Sequence, residues 1–152
     1  FGLILGVVVT LYPKPQVDPA EYLDQKNPLK TLYKITNDGF LPLHEVKILC
    51  GINEVRGPGN TRIIGAGRYE SRLFNPSHVA NVLEYGESDT AFCALGSLII
   101  PYNIEYADLA IIVEFSPPFI PFWRMNKTFP FTTEKNIKGD ILLVHKPLNK
   151  NK

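Results

Sequence analysis

Apolar and polar residues alternate along most of this chain in short runs, with turn-forming residues between the runs. The longest run, Ala107–Phe115, places Leu109, Ile111, Val113 and Phe115 on one face. Alternation with a period of two residues is typical of a half-buried β-strand. Weaker forms of the pattern predict seven other strands: Leu29–Thr36, Leu43–Cys50, Thr61–Ser71, His78–Leu83, Thr90–Leu95, Trp123–Thr132 and Asp140–His145.

Turn-forming residues divide these strands at regular intervals. Asn37-Asp38-Gly39 combines residues that tolerate a positive φ and is the strongest turn signal, and Gly57-Pro58-Gly59, Tyr85-Gly86-Glu87-Ser88 and Gly139-Asp140 mark further turns. Thirteen prolines and eleven glycines are spread along the whole chain, and long helices do not tolerate that spacing. The sequence therefore predicts an all-β sandwich or barrel.

The first twelve residues, FGLILGVVVTLY, carry no charge, and Pro13 and Pro15 follow them. A twelve-residue helix is about 18 Å long, against about 30 Å for the hydrocarbon core of a bilayer, so it would form only the outer end of a membrane-spanning helix that begins upstream. As a strand, the segment would belong to this domain or be donated to the groove of another subunit. One face of that strand would carry Phe1, Leu3, Leu5, Val7, Val9 and Leu11.

These features predict four segments. Residues 1–12 form an apolar anchor or strand, 13–28 a polar linker, 29–146 the β-sandwich and 147–152 a basic tail. The tail lysines, with Lys146 before them, are expected to be solvated.

Three segments resemble parts of bacterial immunoglobulin-like modules. NPLKTLYKITNDGFLPLHEVKI (27–48) is similar to their second and third strands, in which ITNxG precedes an alternating strand. LEYGESDTAF (83–92) resembles their GES turn, and YADLAIIVEF (106–115) resembles their long penultimate strand. The resemblance implies an immunoglobulin-like antiparallel β-sandwich of about seven to nine strands. It also implies a surface or membrane-tethered domain that acts by scaffolding or binding, not by catalysis.

Charge and motif content narrow the classes of function. Sixteen basic residues oppose fifteen acidic ones, which argues against a nucleic-acid partner. The three histidines, His44, His78 and His145, lie far apart, and the sequence contains no CxxC and no GxSxG motif. We therefore predict no catalytic residues, no metal site and no cofactor. An enzyme with a site assembled from remote loops is the least favoured alternative.

Cys50 and Cys93 both end alternating segments and both are predicted to face inward. In a sandwich, two such positions can meet across the sheets, and a bridge would close a loop of about 43 residues. The alternative is a pair of buried thiols in a reducing compartment. A disulfide would agree with export to the periplasm or the cell surface.

The segment SPPFIPFW (116–123) combines three prolines with four large apolar residues and is followed by Arg124. We expect Phe119, Ile120, Phe122, Trp123 and Arg124 either to contact a protein partner or a membrane interface, or to fold back over one end of the core. Two functions follow from these expectations. One is an exported, membrane-anchored accessory or scaffold subunit of a larger complex, and the other is a filament subunit that pairs through residues 1–11.

Overall fold

A computed structural model describes residues 12–22, 27–59, 61–64, 76–93 and 103–147 of the 152-residue chain. These residues form two antiparallel β-sheets that share one apolar core. The strands are β1 (Pro15–Tyr22), β2 (Thr31–Asn37), β3 (Leu43–Arg56), β4 (Arg62–Ile64), β5 (Ser77–Leu83), β6 (Ser88–Phe92), β7 (Tyr106–Ser116), β8 (Met125–Lys135) and β9 (Ile141–His145), with a 3₁₀ turn at Pro28–Lys30. The prediction of an all-β fold is confirmed.

The smaller sheet has the order β1-β2-β6 and corrects one prediction. Part of the predicted 13–28 linker belongs to the sandwich, because Pro15–Tyr22 forms β1 and pairs with β2. Pro15 and Pro19 lack the backbone N–H that a central strand needs, and β1 avoids this cost because it lies at the edge of the sheet. Val17 faces inward from β1 and is fully buried.

The larger sheet has the order β4-β3-β7-β8-β9, and β5 also pairs with β3. The sequence predicted that β3 would end at Cys50, but it continues through Gly51 to Arg56. The whole strand is paired with β7, while β5 and then β4 occupy its other edge. At Gly51 the ladder with β7 continues through Ala110, and this pairing outweighs the local preference of glycine for a break.

The core contains the inward faces that the alternation predicted for β3 and β7, although residues 107–111 of β7 are buried on both faces. Val46, Ile48 and Cys50 of β3 are buried, and so are the four residues predicted to share a face of β7. The largest fully buried side chains come from both sheets and, with Ile104, from the segment before β7: Tyr33, Phe115, Phe131, Ile35, Leu43, Ile48, Ile104, Ile111, Val17, Val46, Val55 and Val113.

A disulfide joins the two sheets. Cys50 lies on β3 of the larger sheet and Cys93 directly follows β6 of the smaller sheet, with their Cα atoms 5.8 Å apart. Of the two alternatives that the sequence left open, the structure contains the bridged one.

Lys146, the last residue of the predicted sandwich segment, was expected to be solvated, but its side chain pairs with a buried carboxylate. Its Nζ donates a hydrogen bond of 2.7 Å to Oδ2 of Asp108, which is buried on β7. The same carboxylate oxygen accepts a hydrogen bond of 2.9 Å from Nδ2 of Asn53. A buried carboxylate needs such partners, so Lys146 belongs to the sandwich.

Some predicted features lie outside the described residues. These are the segment Phe1–Leu11, which carries the anchor and donated-strand interpretations, residues 65–71 and 94–95 at the ends of two predicted strands, and the tail from 148 onward. Within the described ranges, no helix combines the length and the apolar character needed to cross a bilayer.

Candidate contact surface at one end of the sandwich

Strand register brings three loops and the start of the described chain to the same end of the sandwich. Pro15 of β1 lies opposite Asn37 at the end of β2, and Leu43 at the start of β3 lies opposite Leu83 at the end of β5. His44 lies opposite Ser116, the last residue of β7. The β2–β3 loop (38–42), the β5–β6 turn (84–87) and the β7–β8 loop (117–124) are therefore neighbours.

Hydrogen bonds of Asn37 connect two of these loops, the β2–β3 loop and the β5–β6 turn. Its Nδ2 donates hydrogen bonds of 2.9 Å to the carbonyl oxygens of Leu41 and Leu83, and its Oδ1 accepts one of 3.0 Å from the backbone N–H of Gly39. Its own backbone N–H donates to the carbonyl of Glu87 and its carbonyl accepts from the N–H of Gly86. Asn37 is fully buried, and these bonds satisfy its amide as burial requires.

Gly39 fits where a larger residue would collide with the N-terminal part of the chain. A Cβ atom at this position would lie 2.7 Å from the backbone nitrogen of Lys14 and 2.9 Å from the carbonyl oxygen of Tyr12. The adjacent N–H of Asp38 donates a 2.9 Å hydrogen bond to the carbonyl of Lys14. The sequence predicted a turn here from residues that tolerate a positive φ, and none of the three residues Asn37 to Gly39 adopts one. Glycine is needed for close approach instead.

The β7–β8 loop consists of two consecutive turns, each with proline at its second position. The N–H of Ile120 donates to the carbonyl of Pro117 at 3.3 Å, and the N–H of Trp123 donates to the carbonyl of Ile120 at 3.0 Å. Pro118 and Pro121 occupy the position in which the fixed φ of proline favours a turn. Phe119 and Phe122 follow them at equivalent places in the two turns.

This geometry directs the aromatic rings away from the core. Phe119 is 82% exposed, Phe122 is 88% exposed and Trp123 is 56% exposed, while Ile120 is partly buried. A loop that folded over the core would bury these rings. Of the two alternatives for SPPFIPFW, the exposed rings fit a contact surface.

Arg124 joins the loop to a β-bulge in β3. Its Nη1 lies 3.4 Å from the carbonyl oxygen of Glu45. The pairing of β3 with both neighbours shifts register around this point, and Glu45 has a φ of 51°. A residue with a side chain pays a conformational cost for this backbone geometry, which stabilising contacts elsewhere must offset.

Three more aromatic side chains share this end of the sandwich. Tyr12, Phe40 and Tyr85 are each more than half exposed, and the rings of Phe40 and Tyr85 stack with centroids 4.9 Å apart. We call the six exposed aromatic residues the aromatic end: Tyr12, Phe40, Tyr85, Phe119, Phe122 and Trp123. The sequence prediction identified the last three of them and missed the first three, which come from separate parts of the chain.

The charged side chains around the aromatic end do not form a basic patch. The exposed charged residues on these loops and next to them are Lys14, Arg124, Asp38, Glu45, Glu84 and Glu87. Two cations thus accompany four anions. A partner that binds here would gain mainly from burial of the aromatic rings.

A second concave region lies between β1 and β8, at the side of the sandwich. Gln16, Lys127, Phe129, His145 and Lys146 contribute to its lining. Burial lowers the pKa of Lys127, and the positive charge of Lys14 lowers it further, although Asp38 opposes this. The Nζ atom of Lys127 lies 5.2 Å from the centre of the Phe129 ring and 3.4 Å from the carbonyl of Pro15. An added positive charge would be unfavourable in this groove.

The three histidines lie on separate strands, with His44 on β3, His78 on β5 and His145 on β9. His145 contacts the carboxylate of Asp18 at 3.1 Å on the exposed side of the sandwich. Across the described ranges, no three His, Cys, Asp or Glu side chains converge in a way that could hold a metal ion. The absence of catalytic, cofactor and metal sites stays a prediction.

Comparison of the chain with protein-family models, with curated proteins and with solved structures gave no match. The likeness to bacterial immunoglobulin-like modules therefore depends on the three sequence segments that suggested it. Function has to be argued from the surface that the fold presents.

Proposed function

We propose that this chain is an exported immunoglobulin-like domain that is held at a membrane by its N-terminal apolar segment. It acts without catalysis, as an accessory or scaffold subunit of a larger membrane or envelope complex, and the aromatic end is its contact surface. The observation that carries the proposal is the grouping of six exposed aromatic residues at the end where the apolar segment joins the domain.

Strand order supports the immunoglobulin-like assignment. The strands β1, β2 and β6 correspond to A, B and E of that fold, and β3, β7 and β8 correspond to C, F and G. β4 and β5, which both pair with β3, together take the place of C′. Two features depart from the antibody pattern, because β9 is additional and the disulfide starts from the C strand and not from the B strand.

Exposed aromatic rings favour binding as the activity. Monomeric soluble domains rarely expose large contiguous apolar patches, and such patches commonly mark interaction sites. Proline turns hold Phe119 and Phe122 in place, so little conformational entropy is lost when they are covered. Aromatic residues and arginine, here Arg124, are also frequent at the energetic centre of interfaces.

Export and tethering are supported by two further features. A disulfide between Cys50 and Cys93 suits an oxidising compartment such as the periplasm or the cell surface. Residues 1–11 contain no charged side chain and connect to the domain without a long linker, because β1 begins at Pro15.

Site-specific photo-crosslinking in cells tests the proposal. A photoreactive phenylalanine analogue replaces Phe122 in one variant and Ile137 in a control. Ile137 is fully exposed in the β8–β9 turn, at the opposite end of the strands. We expect the chain in the membrane fraction, an adduct from position 122 with a membrane lipid or with a protein of the complex, and no adduct from position 137. Deletion of residues 1–11 should release the chain from the membrane.

Two results would contradict the proposal. A chain that stays soluble with residues 1–11 present has no membrane tether. Equal, diffuse labelling from positions 122 and 137 would mean that the aromatic end is not a preferred contact surface.

The second candidate function is that of a filament subunit, and the unpaired edge of β8 favours it. β9 pairs with β8 only over Phe131–Lys135, and no described strand pairs with that edge over Met125–Phe129. The groove between β1 and β8 opens beside this free edge. An extended segment from another subunit could add there as a strand, and the uncharged residues 1–11 would suit a groove that disfavours positive charge.

Electron microscopy separates the two candidates. Fibres that disappear when residues 1–11 are deleted, or when Thr128 is replaced by proline to block pairing at the free edge, would support the filament. Discrete membrane-bound particles without fibres would support the tethered domain.

A further inference from the structure

We infer that the aromatic end lies in the headgroup layer of the bilayer and contacts lipid directly. The inference rests on the proposed membrane tether and names the partner of the aromatic end.

The first step of the inference uses the short length of chain that joins residues 1–11 to the domain. Lys14 is fixed to the domain through its carbonyl bond to the N–H of Asp38 and through close packing of its backbone on Gly39. Lys14 comes three residues after Leu11, and three residues span at most about 11 Å. A headgroup layer is about 5–8 Å thick. If Leu11 lies at the hydrocarbon boundary, the loops beside Lys14 therefore lie within or just above that layer.

The chemistry of the exposed side chains matches this depth. Tryptophan and tyrosine are enriched where a membrane meets water, because each combines an apolar ring with a polar group. Tyr12, Tyr85 and Trp123 are of these two types, and Phe119 and Phe122 extend furthest into solvent from the β7–β8 loop. The tether keeps these rings at a high effective concentration near the surface, so even a weak contact would be occupied.

The charged residues around the aromatic end determine which lipids it would contact. With four exposed carboxylates against two cations, electrostatic attraction to anionic lipids does not drive the contact. We therefore expect it to form on vesicles of phosphatidylcholine alone and to persist at high salt, unlike a polybasic surface.

Trp123 provides the measurement. It is the only tryptophan of the chain, so its fluorescence reports on the β7–β8 loop alone. The chain, extended at its N-terminus by tryptophan-free apolar residues that complete a membrane-spanning helix, is reconstituted into phosphatidylcholine vesicles and, separately, into vesicles containing lipids brominated near the headgroup. We expect the emission to shift to shorter wavelength, acrylamide quenching to fall, and the brominated lipids to quench the fluorescence.

Matched variants test the neighbouring rings. Replacing Phe119 and Phe122 together by serine should abolish the blue shift and the lipid quenching while the chain stays with the vesicles. Replacing Ile137 by serine, which changes an exposed apolar residue at the opposite end, should leave both signals unchanged. Thermal unfolding of each variant shows that loss of signal is not loss of the fold.

The remaining outcomes overturn the inference in distinguishable ways. A vesicle-bound chain whose Trp123 stays open to acrylamide keeps its tether but makes no lipid contact. If Trp123 is shielded from acrylamide but not quenched by brominated lipid, protein covers it, as a partner or a second copy. A chain that does not bind vesicles fails the proposed function as well.

Discussion

Asn37 is a residue whose hydrogen-bonding capacity matches its position. Its side chain supplies two donated bonds to carbonyl groups and accepts one from a backbone N–H. Among similar side chains only an amide does both, since a carboxylate accepts only. This explains why asparagine stands at the junction of the β2–β3 loop and the β5–β6 turn.

Replacing Asn37 by alanine is expected to lower the free energy of unfolding by about 2–3 kcal/mol, because it leaves buried carbonyl groups without a donor. Aspartate should be no better, since its carboxylate would face the carbonyls of Leu41 and Leu83. Urea unfolding provides the measurement. Asn126→Ala on the exposed surface of β8 is the control, with a change within about 0.5 kcal/mol. Equal stability of the two alanine variants would contradict this account of Asn37.

At Glu45, unlike at Asn37, a substitution is expected to raise the free energy of unfolding. Its φ of 51° costs a residue with a side chain about 1–2 kcal/mol, whereas glycine adopts it freely but loses about 0.5–1 kcal/mol of chain entropy. Glu45→Gly should therefore raise the free energy of unfolding by about 0.5–1 kcal/mol, and Glu45→Ala should not. Chemical denaturation of both variants checks this, and a glycine variant less stable than the alanine variant would show that the bulge is not strained.

At the scale of elements, the sequence predicted most of those strands that turn an apolar face to the core and a polar face to solvent. The inward faces of β3 and β7 followed from period-two patterns. The first strand did not, because PQVDPAEY has two prolines and a single large aliphatic residue, Val17, facing the core. Its strand conformation depends on pairing with β2, which no local pattern encodes.

The β7–β8 loop is expected to contribute little to stability. Replacing Phe119 and Phe122 by serine should change the free energy of unfolding by less than about 0.5 kcal/mol, because both rings are already in solvent. Phe131→Ala is the contrasting control, since this ring is fully buried and its loss should cost about 3–5 kcal/mol. Differential scanning calorimetry compares them, and a large loss in the serine variant would show that the loop covers the core after all.

The candidate surface was only partly predictable. Composition identified SPPFIPFW, because large apolar residues among prolines are unusual in a loop. The contributions of Tyr12, Phe40 and Tyr85 were not predictable, because they depend on which strands pair and in what register. Residues 28 to 45 positions apart in the sequence became neighbours through β1–β2 and β3–β5 pairing. The degree of ring exposure also depends on where the two turns direct the loop.

For the whole molecule, the disulfide is a covalent cross-link between side chains of the two sheets. It closes a loop of 43 residues from β3 to the end of β6, and the chain-entropy relation gives about 4 kcal/mol of stabilisation for a loop of this length. Replacing Cys50 and Cys93 together by alanine should lower the free energy of unfolding by about that amount in guanidinium titrations. Reduction of the unmodified chain should approach the same value, and an unchanged midpoint after reduction would contradict the estimate.

The attachment of the chain at Lys14 has a mechanical consequence. A pull on the N-terminal segment is transmitted into β1 along the axis of that strand, which runs antiparallel to β2. Ladder hydrogen bonds lie perpendicular to the strands, so tension shears many of them at once and does not peel them apart singly. The Cys50–Cys93 bridge then spreads the force to the second sheet. A domain loaded in this way would resist drag at a cell surface better than one pulled from a hairpin end.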